Sequence, residues 1–137
     1  MENTETVKAI FIDARNKEVK EITLPKHENT LQTVYPMLGD DCELVEGIVY
    51  VNGSDLLLGD ESAYYHGYDF GFVLEKYGYI HGNAVILGAD AEGDNTDVDQ
   101  YLLNNIKSKI IFAEKNLVEY MIKKQESTPF TFSAWDI

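Results

Sequence analysis

The amino-acid sequence predicts an α+β domain with a mainly antiparallel five- to six-stranded sheet, one short helix and one long C-terminal helix. Short apolar segments separated by turn residues recur through residues 7–98 and predict the sheet. Apolar residues at helical spacing follow over residues 97–125 and predict the long helix. Since 137 residues have room for a single core, we expect one domain that ends in a tail at residues 126–137.

The N-terminal part predicts a hairpin followed by a helix. Residues 7–12 are apolar on both faces, as in a central strand, and residues 18–24 are more polar, as in an edge strand. Residues 31–38 have apolar side chains at the spacing of one helical face. Because proline removes a backbone donor, Pro36 should kink or end this helix near Tyr35.

The remaining strands are predicted at residues 43–51, 56–58, 70–74 and 84–87. Asn52-Gly53 joins the first two, and this dipeptide is typical of a hairpin with a type I′ turn. In that turn both central residues have positive φ.

The long helix is expected to begin at residues 94–99, where Thr96 and Asp99 resemble a capping box. One of its apolar rows has heptad spacing: Leu103, Ile106, Ile110, Ala113, Leu117 and Tyr120. The row predicts a homodimer or higher oligomer through this helix. The alternative is a wide apolar arc that is buried against a curved sheet.

Charge is segregated along the chain. Residues 27–106 contain fifteen Asp and Glu but one basic residue, Lys76, and they account for essentially all of the net charge of −13. A field of this sign repels nucleic acid and anionic membranes and attracts basic protein surfaces. We therefore expect neither direct nucleic-acid binding nor membrane binding.

The sequence contains no recognisable catalytic or metal motif. Tested as a calcium loop that starts at Asp90, residues 90–99 have Asn95 where glycine is required, and Tyr101 stands where the final glutamate is required. His66 with Asp69 or His81 could form an acid–base pair, but nothing in the sequence brings them together. We expect no enzyme activity, no metal and no cofactor.

The lone Cys42 cannot form an internal disulfide, which favours a reducing compartment. The first residues lack the basic and apolar segments of a signal peptide, and no apolar segment approaches the roughly 20 residues that span a bilayer. These observations predict a cytoplasmic protein.

Three segments carry a resemblance to a known family: residues 8–13 with the following strand at 18–22, residues 69–74, and residues 81–93. Together they resemble a family of small domains carried by bacteriophages and mobile elements, and the chain is similar there to the Thoeris anti-defence sponges. Those phage proteins sequester cyclic ADP-ribose-type immune signals without cleaving them. The resemblance covers residues 7–98.

The resemblance implies a set of ligand-binding residues. An aromatic residue that stacks on the ligand corresponds to Phe72, and an asparagine that bonds it corresponds to Asn83. The sponges hold the phosphates of the ligand with arginines, and the only arginine here is Arg15, so Lys107 and Lys109 are the nearest substitutes.

Two functional hypotheses follow. The resemblance implies a phage-type counter-defence protein that sequesters a nucleotide-derived immune signal in the host cytoplasm. The excess of acidic residues at 27–106, the acidic block, instead favours a DNA-mimic-like inhibitor that occupies the basic surface of a host nucleic-acid-binding or defence protein. The expected partner is accordingly a small nucleotide ligand or a basic host protein.

Overall fold

The computed structural model describes residues 5–27, 30–39, 42–53, 55–63, 66, 68–92 and 94–114. The strands in this part of the chain are β1 (Thr6–Asp13), β2 (Glu18–Pro25), β3 (Val45–Tyr50), β4 (Asp55–Asp60), β5 (Phe70–Leu74), β6 (Gly78–His81), β7 (Ala84–Ala89), β8 (Asn95–Thr96) and β9 (Ile110–Glu114). The helices are α1 (Thr30–Leu38), α2 (Gln100–Asn105) and a 3₁₀ helix (Ile106–Lys109).

The strands form two sheets with antiparallel pairing throughout. The large sheet has the order β2-β1-β7-β4-β3, and β8 adds to one end of β7. The small sheet has the order β6-β5-β9. Consequently β2 and β9 are each the last strand on one side of their sheets.

The large sheet is buried on both faces, which explains its strongly apolar strands. Alternate residues of β1 point to opposite sides, so Val7 and Ala9 pack under α1 whereas Ile10 and Ile12 face the small sheet. The core on the side of the small sheet contains residues of both sheets together with residues of α2 and the 3₁₀ helix. The molecule thus has three layers: α1, the large sheet, and the small sheet with α2.

The predicted N-terminal hairpin and the short helix after it are present, but the predicted end of the helix near Tyr35 was wrong. β1 and β2 form an antiparallel hairpin with β1 inside the sheet and β2 at its edge. The helix α1 includes Pro36 and continues to Leu38, because its buried residues Thr30, Val34 and Leu38 anchor it to the sheet on both sides of the proline.

The predicted turn between β3 and β4 was of the wrong type. Gly53 has a φ of +94°, but Asn52 is not among the residues with positive φ, and a type I′ turn needs both. The loop is longer: the Val51 N–H donates to the Asp55 carbonyl, and the Asn52 side chain accepts from the Asp55 N–H. The asparagine therefore acts through its side chain instead of through positive φ.

The predicted fold was wrong in its long helix and in its single sheet. The helix α2 ends at Asn105, a 3₁₀ helix takes the chain to Lys109, and Ile110–Glu114 is strand β9. The segment Ile110-Ile111-Phe112 combines β-branched and aromatic residues, which fit a pleated strand. Pairing with β5 over five residues then overrides the helical spacing.

The predicted helix cap is absent, and the described part of the predicted oligomer seam does not lie on one helix. Thr96 belongs to β8, and the N-cap residue of α2 is Asp99, whose N–H donates to the buried Asp55 carboxylate. Within the proposed seam, Ile106 and Ile110 are core residues of two different elements. Residues 115–125 of the predicted helix and the tail at 126–137 lie outside the described residues.

The described helices are all short. None of them has the length and apolar composition required to cross a bilayer.

Candidate functional site

A groove opens between the two edge strands β2 and β9, where the two sheets separate at the side of the molecule. Its volume is about 480 Å³. It is lined by Lys17, Glu18, Val19, Lys20, Lys107, Ile110 and Phe112. We call it the lysine groove. Its lining comes from residues 1–26 and 107–137, the two nearly neutral flanks of the chain. In the sequence these flanks lie on either side of the acidic block, residues 27–106.

The β1–β2 turn places Lys17 on one wall. Lys17 has a φ of +58°, a conformation that costs a non-glycine residue about 1 kcal/mol. Asp13 holds the turn in this form, because its carboxylate accepts bonds from the backbone N–H and the side-chain amide of Asn16, at 3.2 and 2.8 Å. The cation therefore sits on a preformed turn.

The 3₁₀ helix and β9 form the other wall. Lys107 is exposed on the 3₁₀ helix, and Phe112 is half-buried two residues after the buried Ile110 on the same face of β9. The core holds Ile110, which fixes where Phe112 lies. The wall thus presents one cation and one aromatic ring.

The electrostatics of the lysine groove favour an anion. Lys20 pairs with Glu18 at 2.8 Å, and the hydrogen bond that its ammonium group donates to this carboxylate raises the pKa of Lys20. Within the described part of the chain, Lys17 and Lys107 have no recorded ion-pair partner. The three lysines and one glutamate of the lining have a formal charge of +2 in a protein of net charge −13, and the Asp13 carboxylate also acts on Lys20.

The groove has the two features that recognise a nucleotide. Ammonium groups bind phosphate as point charges. A half-exposed aromatic ring can stack on a base, which typically contributes about 1–3 kcal/mol. Val19 and Ile110 add apolar surface between the two.

Of the five site residues that the sequence predicted, only Lys107 lines the groove. The Arg15 guanidinium lies 4.9 Å from the centre of the Phe70 ring. Lys109 pairs with Glu75 at 3.9 Å on the β5–β6 side. Arg15 and Lys109 are therefore engaged within the protein.

Phe72 and Asn83 lie inside the fold. Phe72 is fully buried in the core between the sheets. The Asn83 Oδ1 accepts from the N–H groups of Ala14 and Arg15 at 2.8 and 3.2 Å, and its amide donates to the Met37 carbonyl at 3.0 Å. In this structure Phe72 packs the core, and Asn83 connects the β1–β2 turn to α1.

Sequence reasoning missed Lys17, Lys20 and Phe112. Phe112 was assigned to a helix, where its neighbours on β2 could not be recognised. The alternation of Ile110 and Phe112 was the available signal, and it indicates a strand with one inward face.

A second polar cluster surrounds the buried Asp60. One carboxylate oxygen accepts from the Ser62 N–H at 2.9 Å. The other accepts from the Nδ1–H of His66 at 2.7 Å and from the Tyr68 hydroxyl at 3.1 Å. The partner of His66 is thus Asp60, which the sequence did not suggest, whereas Asp69 is exposed at the start of β5.

Cys42 lies beside this cluster, and its surroundings make the thiol a weaker nucleophile. Burial, followed by the Asp60 charge, raises the pKa of Cys42 from 9.0 to about 11. A catalytic cysteine has a lowered pKa instead. The cluster around Asp60 therefore stabilises the loop after β4 and does not prepare Cys42 for attack.

This environment predicts slow thiol labelling. At pH 9.0 the native protein should react roughly fifty-fold more slowly with iodoacetamide than urea-unfolded protein, because only about 1 % of the Cys42 thiol is ionised. The rate should rise about tenfold per pH unit until pH reaches about 11. This pH dependence shows that low ionisation of the thiol, and not limited access of the reagent, slows the reaction. Asp60→Asn should speed the reaction. A rate that levels off near pH 9 would contradict the assigned environment.

The loop between β7 and β8 gathers Asp90, Glu92 and Asp94. Their carboxylate oxygens lie within 4.8 Å of one another, and all three residues are exposed. One Asp90 oxygen accepts the N–H groups of Glu92 and Asp94 at 2.9 and 3.0 Å. These bonds close the loop, as aspartate commonly does in turns.

Comparison of the chain with protein-family models, curated proteins and solved structures gave no match. The resemblance to phage domains and anti-defence sponges stays a prediction. The functional conclusion consequently depends on the chemistry of the groove.

Proposed function

We propose that this protein binds a small nucleotide-type anion in the lysine groove and acts by holding it, without turnover. The observation that carries the proposal is that Lys17, Lys107 and Phe112 line the same groove in a strongly acidic chain. The resemblance to sponge proteins supports an ADP-ribose-type immune signal as the ligand class. A phage-type counter-defence role in the host cytoplasm belongs to this proposal.

Charge segregation supports the assignment. The cations of the groove come from Lys17, Lys20 and Lys107, which lie outside residues 27–106. Among the described residues, the lining has one carboxylate, Glu18, and none from residues 27–106. The acidic part of the described surface repels an anion, and the lysine groove attracts one. The groove is therefore a favoured place for anion binding within the part of the chain that the structure describes.

The first test is binding of a ligand panel by isothermal titration calorimetry: ADP-ribose, cyclic ADP-ribose isomers, ATP, adenosine and inorganic phosphate. Lys17→Gln and Lys107→Gln should each weaken binding of the phosphorylated ligands about tenfold, which corresponds to loss of about 1.4 kcal/mol. Lys76→Gln is the matched control, because Lys76 is also an exposed turn lysine with positive φ, at +66°, and it does not line the groove. Equal effects of all three substitutions would contradict the site.

The second test separates the base from the phosphate. Phe112→Ala should weaken binding of ADP-ribose but leave binding of inorganic phosphate unchanged, since only the former has a ring to stack on. Ligand recovered after heat denaturation should be chemically intact by liquid chromatography. Recovery of a cleaved product would show that the protein is an enzyme.

The acidic block supports a second candidate function, occupation of a basic host surface. Fifteen carboxylate residues against Lys76 in residues 27–106 provide the charge for it. Such binding should weaken as salt is raised and should be unaffected by Lys107→Gln. Capture of a basic protein with that behaviour, together with an inert ligand panel, would favour the inhibitor over the sponge.

A further inference from the structure

A second groove of about 470 Å³ lies on the α1 side of the large sheet, away from the lysine groove. It is lined by His27, Thr30, Leu31, Gln32, Leu56, Leu58, Leu87, Gly88, Ala89 and Asn95. Its floor is leucine side chains from β4 and β7, and Leu31 at the start of α1 is 46 % exposed at its wall. We call it the leucine groove. The nine-residue α1 is too short to cover this part of the sheet.

The charge around the leucine groove is acidic. Among the residues that the structure describes, its lining contains no lysine or arginine. Ala89 and Asn95 form one end of it, and they are paired residues that flank the acidic loop of Asp90, Glu92 and Asp94. Lys26, next to the lining residue His27, is paired with Glu5 at 3.6 Å. An apolar floor therefore adjoins three exposed carboxylates.

The backbone of the floor is already paired. β4 lies between β7 and β3, and the exposed end of β7 lies between β4 and β8. An extended peptide could not add to either strand, because neither has a free edge. A helix satisfies its own backbone and needs only apolar side chains to enter such a groove.

We propose that the leucine groove docks a basic amphipathic helix of a partner protein. The apolar face of the helix contacts the leucines, and its lysines or arginines face the carboxylates of the acidic loop. A second copy of this chain is disfavoured by repulsion between two molecules of net charge −13, and an anionic lipid surface is disfavoured for the same reason. The inference is independent of the lysine groove.

The test uses synthetic peptides of about 15 residues, the length at which a helix becomes marginally stable alone. One peptide is amphipathic with leucine and lysine, a second has the same composition in scrambled order, and a third replaces lysine with glutamate. Fluorescence anisotropy should show that only the first binds, with at least tenfold preference. Circular dichroism should show that it gains helix on binding.

Substitutions in the leucine groove and in the acidic loop test whether the peptide binds there. Leu31→Glu and the double change Glu92→Lys with Asp94→Lys should each weaken binding of the amphipathic peptide at least tenfold. Leu44→Glu is the matched control, because Leu44 is 57 % exposed and lies outside the groove. Asp90 is left unchanged since its carboxylate closes the loop.

Three outcomes would overturn the proposal. They are equal binding of the scrambled peptide, equal loss on Leu31→Glu and Leu44→Glu, and a concentration-dependent dimer of the wild-type protein that Leu31→Glu disperses. The last result would assign the groove to a second copy of the chain. Thermal denaturation of each variant confirms that it is folded before binding is compared.

Discussion

Replacing Phe72 with alanine is expected to lower the free energy of unfolding by about 3–5 kcal/mol. Phe72 is fully buried between the two sheets, and its ring contributes to the core that contains Ile10, Leu57 and Ile110. Removing the ring loses apolar burial and leaves a cavity that the surrounding strands cannot close. Urea denaturation at constant pH measures the change through the midpoint, with little change in slope.

Two further variants test whether the loss of stability comes from the buried Phe72 ring. Phe72→Leu retains most of the volume and should cost clearly less than Phe72→Ala. Phe112→Ala should also cost less, since Phe112 is only half-buried, although it should weaken ligand binding. A Phe72→Ala protein of wild-type stability that had lost a nucleotide ligand would contradict the buried placement and restore Phe72 as the stacking residue.

Replacing Asn83 with alanine is expected to destabilise the protein by about 2–4 kcal/mol, because a buried donor that loses its acceptor costs about 1–3 kcal/mol and a further bond is lost besides. The Ala14 N–H is buried and would lose its acceptor, and the Met37 carbonyl would lose its donor. The same change should loosen the β1–β2 turn that carries Lys17. Urea denaturation and amide hydrogen exchange at Ala14 measure the two effects separately.

Asn16→Ala is a suitable control for the asparagine. Asn16 is exposed in the same turn and bonds only to Asp13 among the residues described, so its loss should cost less than 1 kcal/mol. Unchanged stability of Asn83→Ala, with unchanged exchange at Ala14, would contradict the role of Asn83 as a connection between the turn and α1.

These two variants also bear on how loss of binding is interpreted. A protein with Phe72→Ala or Asn83→Ala would bind less ligand simply because less of it is folded. Binding loss in either variant therefore does not place the residue at the ligand. Lys17→Gln and Lys107→Gln avoid the difficulty, because both lysines are exposed and the core does not depend on them.

Local chemistry explains the parts of the fold that could be predicted. The β1–β2 hairpin follows from two apolar segments around a turn of aspartate and asparagine, and α1 follows from its one apolar face. The strands β5 and β7 follow from short apolar segments with glycine nearby. Each of these signals lies within about ten residues, where the sequence pattern is reliable evidence.

The segment from Ile106 to Glu114 could not be predicted in the same way. Its apolar residues satisfy a helical period, yet Ile110 to Phe112 also suit a strand. The choice depends on β5, about forty residues earlier in the chain, whose free edge accepts the backbone bonds of β9. The Asp60–His66 contact is local, since the two residues are six positions apart in the sequence, but no recognisable motif marks the loop that forms it.

The sequence by itself determined the charge: fifteen acids and one base between residues 27 and 106, with the remaining cations confined to the two flanks. The resemblance also named Lys107 as a candidate binding residue, and Lys107 lines the lysine groove. Only the tertiary structure decided that Lys17 and Lys107, ninety positions apart, line one groove beside Phe112. The reason is physical: composition sets the sign of the field, whereas the placement of β2 and β9 at the edges of two different sheets sets where the cations meet.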